Sequence, residues 1–342
     1  MRSIRILFFP ISILYGLITF VRNKLYDWGL LQVYKIPIKS ISIGNLSVGG
    51  TGKTPHVVFL ASLLSPNYSV AILSRGYGRK TNGYLKATLD STAAQIGDEP
   101  LQYFSRFSPQ VSVVVCESRK LGVQKIIEDL HPDLILLDDA FQHRKVKSGL
   151  SILLMDYSKP FYSDFMLPTG DLREFTCGKK RANYLIVTKC PNQMTSAEKK
   201  MIISKTGFRE CQVYFSKIIY GKVLDFNNQV FRSFNNALLV TGIANPSPLF
   251  KHLQEICKVE MLSFPDHHAF SVSDIQKIHT KFELLEDSSA IILTTEKDFM
   301  RLKSILSESD LEKYPWCYIP IQVALDREEE FVQEIKNYVD TI

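Results

Sequence analysis

Apolar residues in this chain fall into short unbroken runs more often than into alternation. "SISIG" (Ser40 to Gly44), "SVAILSRG" (Ser69 to Gly76), "VSVVV" (Val111 to Val115), "DLILLDD" (Asp133 to Asp139), "SILLMD" (Ser151 to Asp156) and "YLIVTK" (Tyr184 to Lys189) are of this kind. Runs of that length predict strands buried on both faces, and the helical stretches between them predict a mostly parallel sheet sandwiched by helices. One such helix is expected from about Gly52 to Leu64. The pattern changes between Val213 and Phe234, where two short alternating segments flank Asn227-Asn228 and predict a β-hairpin at a domain joint. After it, "ALLVTGIANP", "VEMLSFPDHHAF", "AIILTTEKDF" and "CYIPIQVAL" restart the pattern as a second, smaller α/β unit. The expected division is a core at 29–212, a hairpin linker at 213–235 and the smaller unit at 236–342. A cleft between two such units is a common ligand site.

The first 28 residues follow a different rule. From Ile6 to Val21 the chain carries no charge, and Arg2, Arg5, Arg22 and Lys24 flank the run. That stretch is slightly shorter than the roughly 20 residues a membrane-crossing helix needs. Ser12, Tyr15, Gly16 and Thr19 share one helical stripe and leave the remaining surface apolar. No small-residue cleavage site follows, which argues against a secretory signal. The reading is a membrane-associated helix, inserted or lying in the interface, with a buried core helix as its rival.

Composition narrows the picture a little. A chain of 342 residues suits two domains, and 45% hydrophobic with 22% charged residues is globular. The net charge of +6 favours anionic partners. There is no dense basic block interleaved with aromatics, so nucleic acid is not an expected partner. The six cysteines are scattered with no C-x-x-C pair, which points to reduced thiols and away from a disulfide frame or structural zinc.

The candidate chemistry begins at "SISIGNLSVGGTGKTP". A strand, a glycine-rich loop and a helix start make a phosphate cradle, although Ser47 stands where the pattern G-x-x-x-x-G-K-[ST] has its first glycine. Ser47 fits if its backbone angle is not strongly positive. Ser47, Val48, Gly49, Gly50, Thr51, Gly52, Lys53 and Thr54 are therefore the expected nucleotide-binding residues. Gly49, Gly50 and Gly52 allow the tight wrap, and Lys53 is placed to reach the outer phosphates. Thr54 offers a hydroxyl to Mg²⁺, and Pro55 suits a first helical turn. Asp138 and Asp139 close an apolar strand and are the expected acidic partners of that magnesium; which one touches metal directly stays open. "TKCP" (Thr188 to Pro191) is a near miss of the guanine-reading pattern, with Pro191 in the aspartate position, so ATP is expected over GTP.

With these pieces in place, the chain closely resembles the tetraacyldisaccharide 4'-kinase (lipid A 4'-kinase) family of Gram-negative bacteria. The resemblance rests on "GNLSVGGTGKTP", with the same serine, and on "LSRGYGR", "GDEP", "DDAFQH", "LPTGDLRE", "GIANP", "FPDHHAF" and "TTEKD". Two positions depart from it: Ala140, where the family usually has Gly, and Asp171, where it usually has Pro.

The resemblance implies transfer of the ATP γ-phosphoryl to the 4'-hydroxyl of a lipid A disaccharide 1-phosphate, at the cytoplasmic face of an inner membrane. It makes Asp98 the catalytic base and His267 the histidine that tunes it, with Asp266 expected to hold His267. Arg75, Arg79, Arg119 and Arg173 are expected to grip anionic oxygens of the substrate. Gln142 and His143 are expected beside them, with Glu174 setting the geometry of Arg173. Two rivals remain: another ATP-dependent ligase or synthetase of P-loop type, and a membrane-bound nucleotide switch.

Overall fold

The computed structural model describes residues 5–231, 233–266, 268–285, 287 and 289–341. Among the described residues sixteen strands form three sheets. Helix α1 (Phe9–Asp27) precedes β1 (Tyr34–Lys35) and the cradle strand β2 (Lys39–Asn45), which leads into α2 (Lys53–Leu64). Then come β3 (Val70–Ser74), β4 (Leu85–Lys86), α3 (Asp98–Phe107), β5 (Val111–Val115), α4 (Arg119–Leu130) and β6 (Leu134–Asp138). β7 (Val146–Lys147), β8 (Leu150–Asp156), β9 (Tyr184–Thr188), α5 (Ser196–Thr206) and β10 (Val213–Tyr220) follow. With β16 (Ile321–Leu325) from the end of the chain, the large sheet has the order β16-β10-β9-β8-β2-β6-β3-β5-β4. Its inner pairs are all parallel, and only the two edge strands, β4 and β16, run antiparallel.

The apolar runs are continuous because both faces of this sheet are covered. On one face Val57, Leu60 and Leu64 of α2 pack with Ile41, Ile43 and Ile72. On the other, Val123 and Ile126 of α4 cover Ile135 and Leu137. This is the expected P-loop-like class of α/β fold.

The smaller sheet has the order β11-β15-β14-β12-β13. Its strands are β11 (Leu224–Asp225), β12 (Asn236–Thr241), β13 (Lys258–Ser263), β14 (Ala290–Thr295) and β15 (Trp316–Ile319). Helices α6 (Ser247–Gln254), α7 (Val272–Glu283) and α8 (Glu296–Leu302) lie between them.

Two boundaries differ from the sequence expectation. β10 is not an arm of a linker hairpin; it extends the large sheet, parallel to β9. The hairpin shrinks to a turn around Asn227-Asn228, closed by Asp225 N–H to Gln229 O at 2.9 Å, with Asn228 at φ +65. At the far end the chain returns: β16 (Ile321–Leu325) pairs antiparallel with β10, and α9 (Glu328–Asp340) buries Phe331, Ile335 and Val339 in the core under α2. The smaller unit is thus an insertion between two neighbouring strands of the larger one. Gly221 N–H donates to Pro320 O at 2.8 Å, tying the two crossings together.

Helix α1 lies against the body of the protein along its small-residue stripe. Ser12, Gly16 and Thr19 are its buried residues. The Ser12 hydroxyl bonds to Thr169 Oγ1 at 2.7 Å, and Tyr15 donates its hydroxyl to Arg173 O at 3.0 Å. A Cβ on Gly16 would stand 2.6 Å from the Phe175 ring, so glycine permits this approach. Ile6, Leu7, Ile11, Ile13, Leu14 and Ile18 are exposed. Ile6–Asp27 is long and apolar enough to cross a membrane by length and composition. Arg2 lies outside the described residues; Arg5 pairs with Asp171 at 3.1 Å, so one departure from the family pattern fastens the start of the helix.

Candidate active site

The phosphate cradle has the backbone its sequence requires. Gly49 and Gly52 take φ +102 and +84, where a side chain would be strained, and Ser47 is not among the positive-φ residues. Ser47 instead forms a bridge with Leu172, and Val48 N–H donates to the carbonyl of Asp171 at 2.8 Å. The cradle's own carbonyls are tied outward. Thr188 donates its hydroxyl to Thr51 O at 2.9 Å, and the Lys189 ammonium bonds to Gly50 O and to Asp156 at 2.8 Å. The "TKCP" stretch therefore buttresses the loop from behind, a role its likeness to a base-reading motif concealed. His56 adds a second tie: its Nδ1 lies 2.7 Å from Gly52 O and its Nε2 2.9 Å from Ser216 Oγ. Burial holds His56 down at about 4, so the ring is neutral, with Nδ1 donating to Gly52 and Nε2 accepting from Ser216.

β6 carries Asp138 to the mouth of this cradle because β6 is hydrogen-bonded directly to β2. Ser74 donates to Asp138 Oδ2 at 3.1 Å. Oδ1 is buried and has no hydrogen-bond partner among the described residues. Burial, with the charges of Glu99 and Asp139, pushes the carboxyl of Asp138 up to about 7. A buried, half-satisfied carboxylate beside two others is a site for a cation. Asp139 stands at φ +46, with Lys53 at 3.8 Å and Arg173 at 3.2 Å. Burial pushes it upward, but the two cations outweigh that and hold it below the usual range. Thr54 donates its hydroxyl to Glu99 Oε1 at 3.2 Å. Glu99 thus stands beside this cluster, holding Thr54 and raising Asp138 by its charge, and was missed from sequence; its place in "GDEP" was the available signal.

These residues fit a magnesium ion. Asp138, Asp139 and Thr54 supply hard oxygens, and among the described residues no cluster of three His, Cys, Asp or Glu side chains forms a closed metal cage. Magnesium in nucleotide sites takes one or two carboxylates and completes its shell with phosphate and water.

The remaining expected residues separate into two groups. Arg75 is exposed, and Arg75, Arg119 and Arg173 all act on His143, whose ring is held at about 4 by burial and then by those arginines. Arg173 also reaches Gln142 Oε1 at 3.4 Å. Arg79 and Arg119 have internal partners. The Arg79 guanidinium bonds to Glu117, with Nε at 3.1 Å, and to Gly83 O at 2.7 Å. Arg119 is buried and donates to Cys116 O at 3.0 Å and Asp138 O at 2.6 Å, bracing the end of β6. Glu174 was expected to set Arg173; among the described residues it meets Arg173 through Gln142 rather than by a direct bond. It is buried and accepts from Arg181 at 2.7 Å, Asn23 at 2.8 Å and Gln142 at 3.1 Å, which ties α1 to the site.

Asp98 is the first residue of α3, after Gly97 at φ +93. A Cβ on Gly97 would come within 3.0 Å of Tyr77 O, and one on Gly76 within 2.8 Å of Ile96 O. Glycine at both places lets "SRGYGR" and "GDEP" pack together. Asp98 meets the smaller unit through Arg301, whose Nε donates to Oδ2 at 2.7 Å. Asp266 is exposed, and His267 lies outside the described residues. A cavity of about 650 Å³ opens elsewhere, beside Tyr26 and Asp27 at the foot of α1, and reaches the site's edge at Ala140, Phe141 and His143.

Comparison with known proteins agrees with this architecture. A family model described as tetraacyldisaccharide-1-P 4'-kinase matches residues 4–340. A tetraacyldisaccharide 4'-kinase of Bacteroides thetaiotaomicron is 43% identical, over 97% of this chain and 92% of its own length. Its counterpart from Flavobacterium psychrophilum is also 43% identical, over 100% and 98%. Among solved structures, LpxK from Aquifex aeolicus in complex with ATP aligns with a TM-score of 0.78 at 31% identity, covering 98% of this chain and 99% of that one. Matches of this extent are decisive: the chain belongs to the tetraacyldisaccharide-1-P 4'-kinase family.

Proposed function

We propose that this protein moves the γ-phosphoryl group of ATP onto the 4'-hydroxyl of a lipid A disaccharide 1-phosphate. The observation that carries this reading is the unsatisfied Asp138 oxygen, set at the mouth of a glycine-rich cradle with Lys53 and Asp139 beside it. In the proposed mechanism the amides of the 49–54 loop hold the triphosphate, Val48 N–H being engaged by Asp171 O, and Lys53 neutralises its outer oxygens. Thr54 and the 138–139 pair would hold magnesium, which when bound would offset negative charge on the phosphates. Asp98 takes the proton of the sugar hydroxyl as its oxygen bonds to the γ-phosphorus, and ADP leaves with the broken bond's electron pair. Arg75, Arg173, Gln142 and His143 face the sugar and its 1-phosphate. Arg79 and Arg119, engaged internally, support that wall from behind.

Acyl chains of the acceptor stay in lipid, beside the exposed apolar side of α1. We place the enzyme on the cytoplasmic side of the inner membrane of a Gram-negative bacterium, where ATP and such a lipid meet.

Labelled ATP and the disaccharide 1-phosphate provide the test, with a bis-phosphorylated lipid as the expected product. Asp98→Ala should cut turnover by about 10²–10⁴-fold while ATP still binds. A rate within a few-fold of the wild type would remove Asp98 from the mechanism. ATP-dependent partner recruitment with no lipid product would favour the nucleotide-switch reading instead.

A further inference from the structure

The motifs "GIANP" and "TTEKD" have no role in the mechanism above, yet the backbone of Gly242 and the side chains of Thr295 and Asp298 lead through Arg301 to Asp98. Helices α3 and α8 pack against each other across the seam between the two units, with Leu101 touching the cores of both. At one end of the seam Arg301 donates to Asp98 Oδ2 through both Nε and Nη2. Its third nitrogen, Nη1, donates to Asp298 Oδ1 at 3.0 Å and lies 3.4 Å from Gly242 O. Asp298 is fully buried, and its other oxygen accepts from Gly242 N–H at 2.9 Å and the Thr295 hydroxyl at 2.8 Å. A Cβ on Gly242 would stand 3.1 Å from Asp298 Oδ1 and 3.4 Å from both Pro265 O and His268 Cβ. Glycine at 242 therefore lets three segments of the smaller unit converge behind one guanidinium. At the other end of the seam Arg106 and Glu296 form a second ion pair at 3.4 Å.

A planar guanidinium held from behind by a buried carboxylate has little rotamer freedom left, so it presents its forward donors in a fixed plane. Both of those donors fall on one oxygen of Asp98, which sets the tilt of that carboxylate. We propose that Arg301, anchored by Asp298, is a positioning residue for Asp98, orienting it toward the sugar hydroxyl from the smaller unit. This rests on Asp98 being the proton acceptor.

The test measures steady-state kinetics of the full-length enzyme with ATP and the disaccharide 1-phosphate, for wild type, Asp98→Ala, Arg301→Ala, Arg301→Lys and Glu296→Gln. Arg301→Ala should lower kcat by about 10²-fold, the scale of a misplaced reacting group, with KM for ATP within about two-fold. Added ethylguanidinium should restore about ten-fold of that loss, and Arg301→Lys should retain part of the rate. Glu296→Gln, which breaks the other pair of the same seam, should stay within about three-fold of wild type. Four results would overturn the inference. One is Arg301→Ala and Arg301→Lys both within about three-fold of wild type in kcat. The others are an equal loss in Glu296→Gln, a rise in KM alone, and a folded Arg301 variant deaf to ethylguanidinium. Wild-type enzyme that makes no bis-phosphorylated lipid would instead defeat the proposed function, and this inference with it.

Discussion

Gly44→Ala tests how tightly the cradle strand and the acidic turn are fitted together. A Cβ there would lie 2.7 Å from Phe141 Cβ and 3.0 Å from Phe141 N. The nearest atoms belong to backbone and to the root of a buried side chain, so no rotamer change relieves the contact. Ordinary van der Waals contact begins near 3.4 Å, so the turn holding Asp139 and Ala140 must retreat by about 0.7 Å. Overpacking of this kind costs about 1–3 kcal/mol, offset by about 0.5–1 kcal/mol from replacing glycine in a strand. The net, about 1–2 kcal/mol, corresponds to a fall of roughly 2–6 °C in Tm. The rate should suffer more. Asp139 lies 3.8 Å from Lys53 and 3.2 Å from Arg173, both used in the proposed mechanism, and a displacement approaching 1 Å costs on the order of 10-fold to 10²-fold in kcat. The assay pairs thermal unfolding with turnover at saturating ATP. Wild-type kcat with wild-type Tm would show that the two segments are not in rigid contact.

Three further predictions follow from packing and burial. Phe331→Ala, which empties a fully buried ring site in α9, should destabilise the larger unit by about 3–5 kcal/mol in denaturant titration; under about 1 kcal/mol would mean the C-terminal helix is not part of that core. Glu174→Ala leaves Arg181, Asn23 and Gln142 without their shared acceptor, so a loss of about 3 kcal/mol and faster proteolysis at α1 are expected; an unchanged digestion pattern would count against the tie. His56 is neutral in the fold with its pKa lowered from 6.5 to about 4, so its contribution is present above pH 6.5 and is lost as pH falls toward 4. That amounts to about 3 kcal/mol, and His56→Gln should flatten this part of the stability profile; identical slopes would contradict it.

Legibility in the sequence tracked distance along the chain. The cradle was readable because its parts sit within a few residues, and the inner strands because burial on both faces leaves unbroken apolar runs. Asp138 and Asp139 were readable as a strand end, but not the difference between them, which comes from Ser74, Lys53 and Arg173 arriving from other elements. The return of β16 and α9 to the large sheet could not be seen, since a strand's pattern does not name its neighbour. Glu174 was misassigned for a similar reason: adjacency to Arg173 suggested a direct pair, whereas the Gln142 amide stands between them and Arg181 and Asn23 supply the other donors to Glu174. The contact between Asp98 and Arg301 spans 203 positions and leaves no local mark.

The tie between Gly221 and Pro320 also governs how the smaller lobe can travel. A body hung from two adjoining strands has its natural hinge where those strands cross, so a swing of the smaller lobe would tip it toward or away from its frame. Shortening the chain at residue 235 to isolate the ATP-binding half would carry off its own outer strand and closing helix.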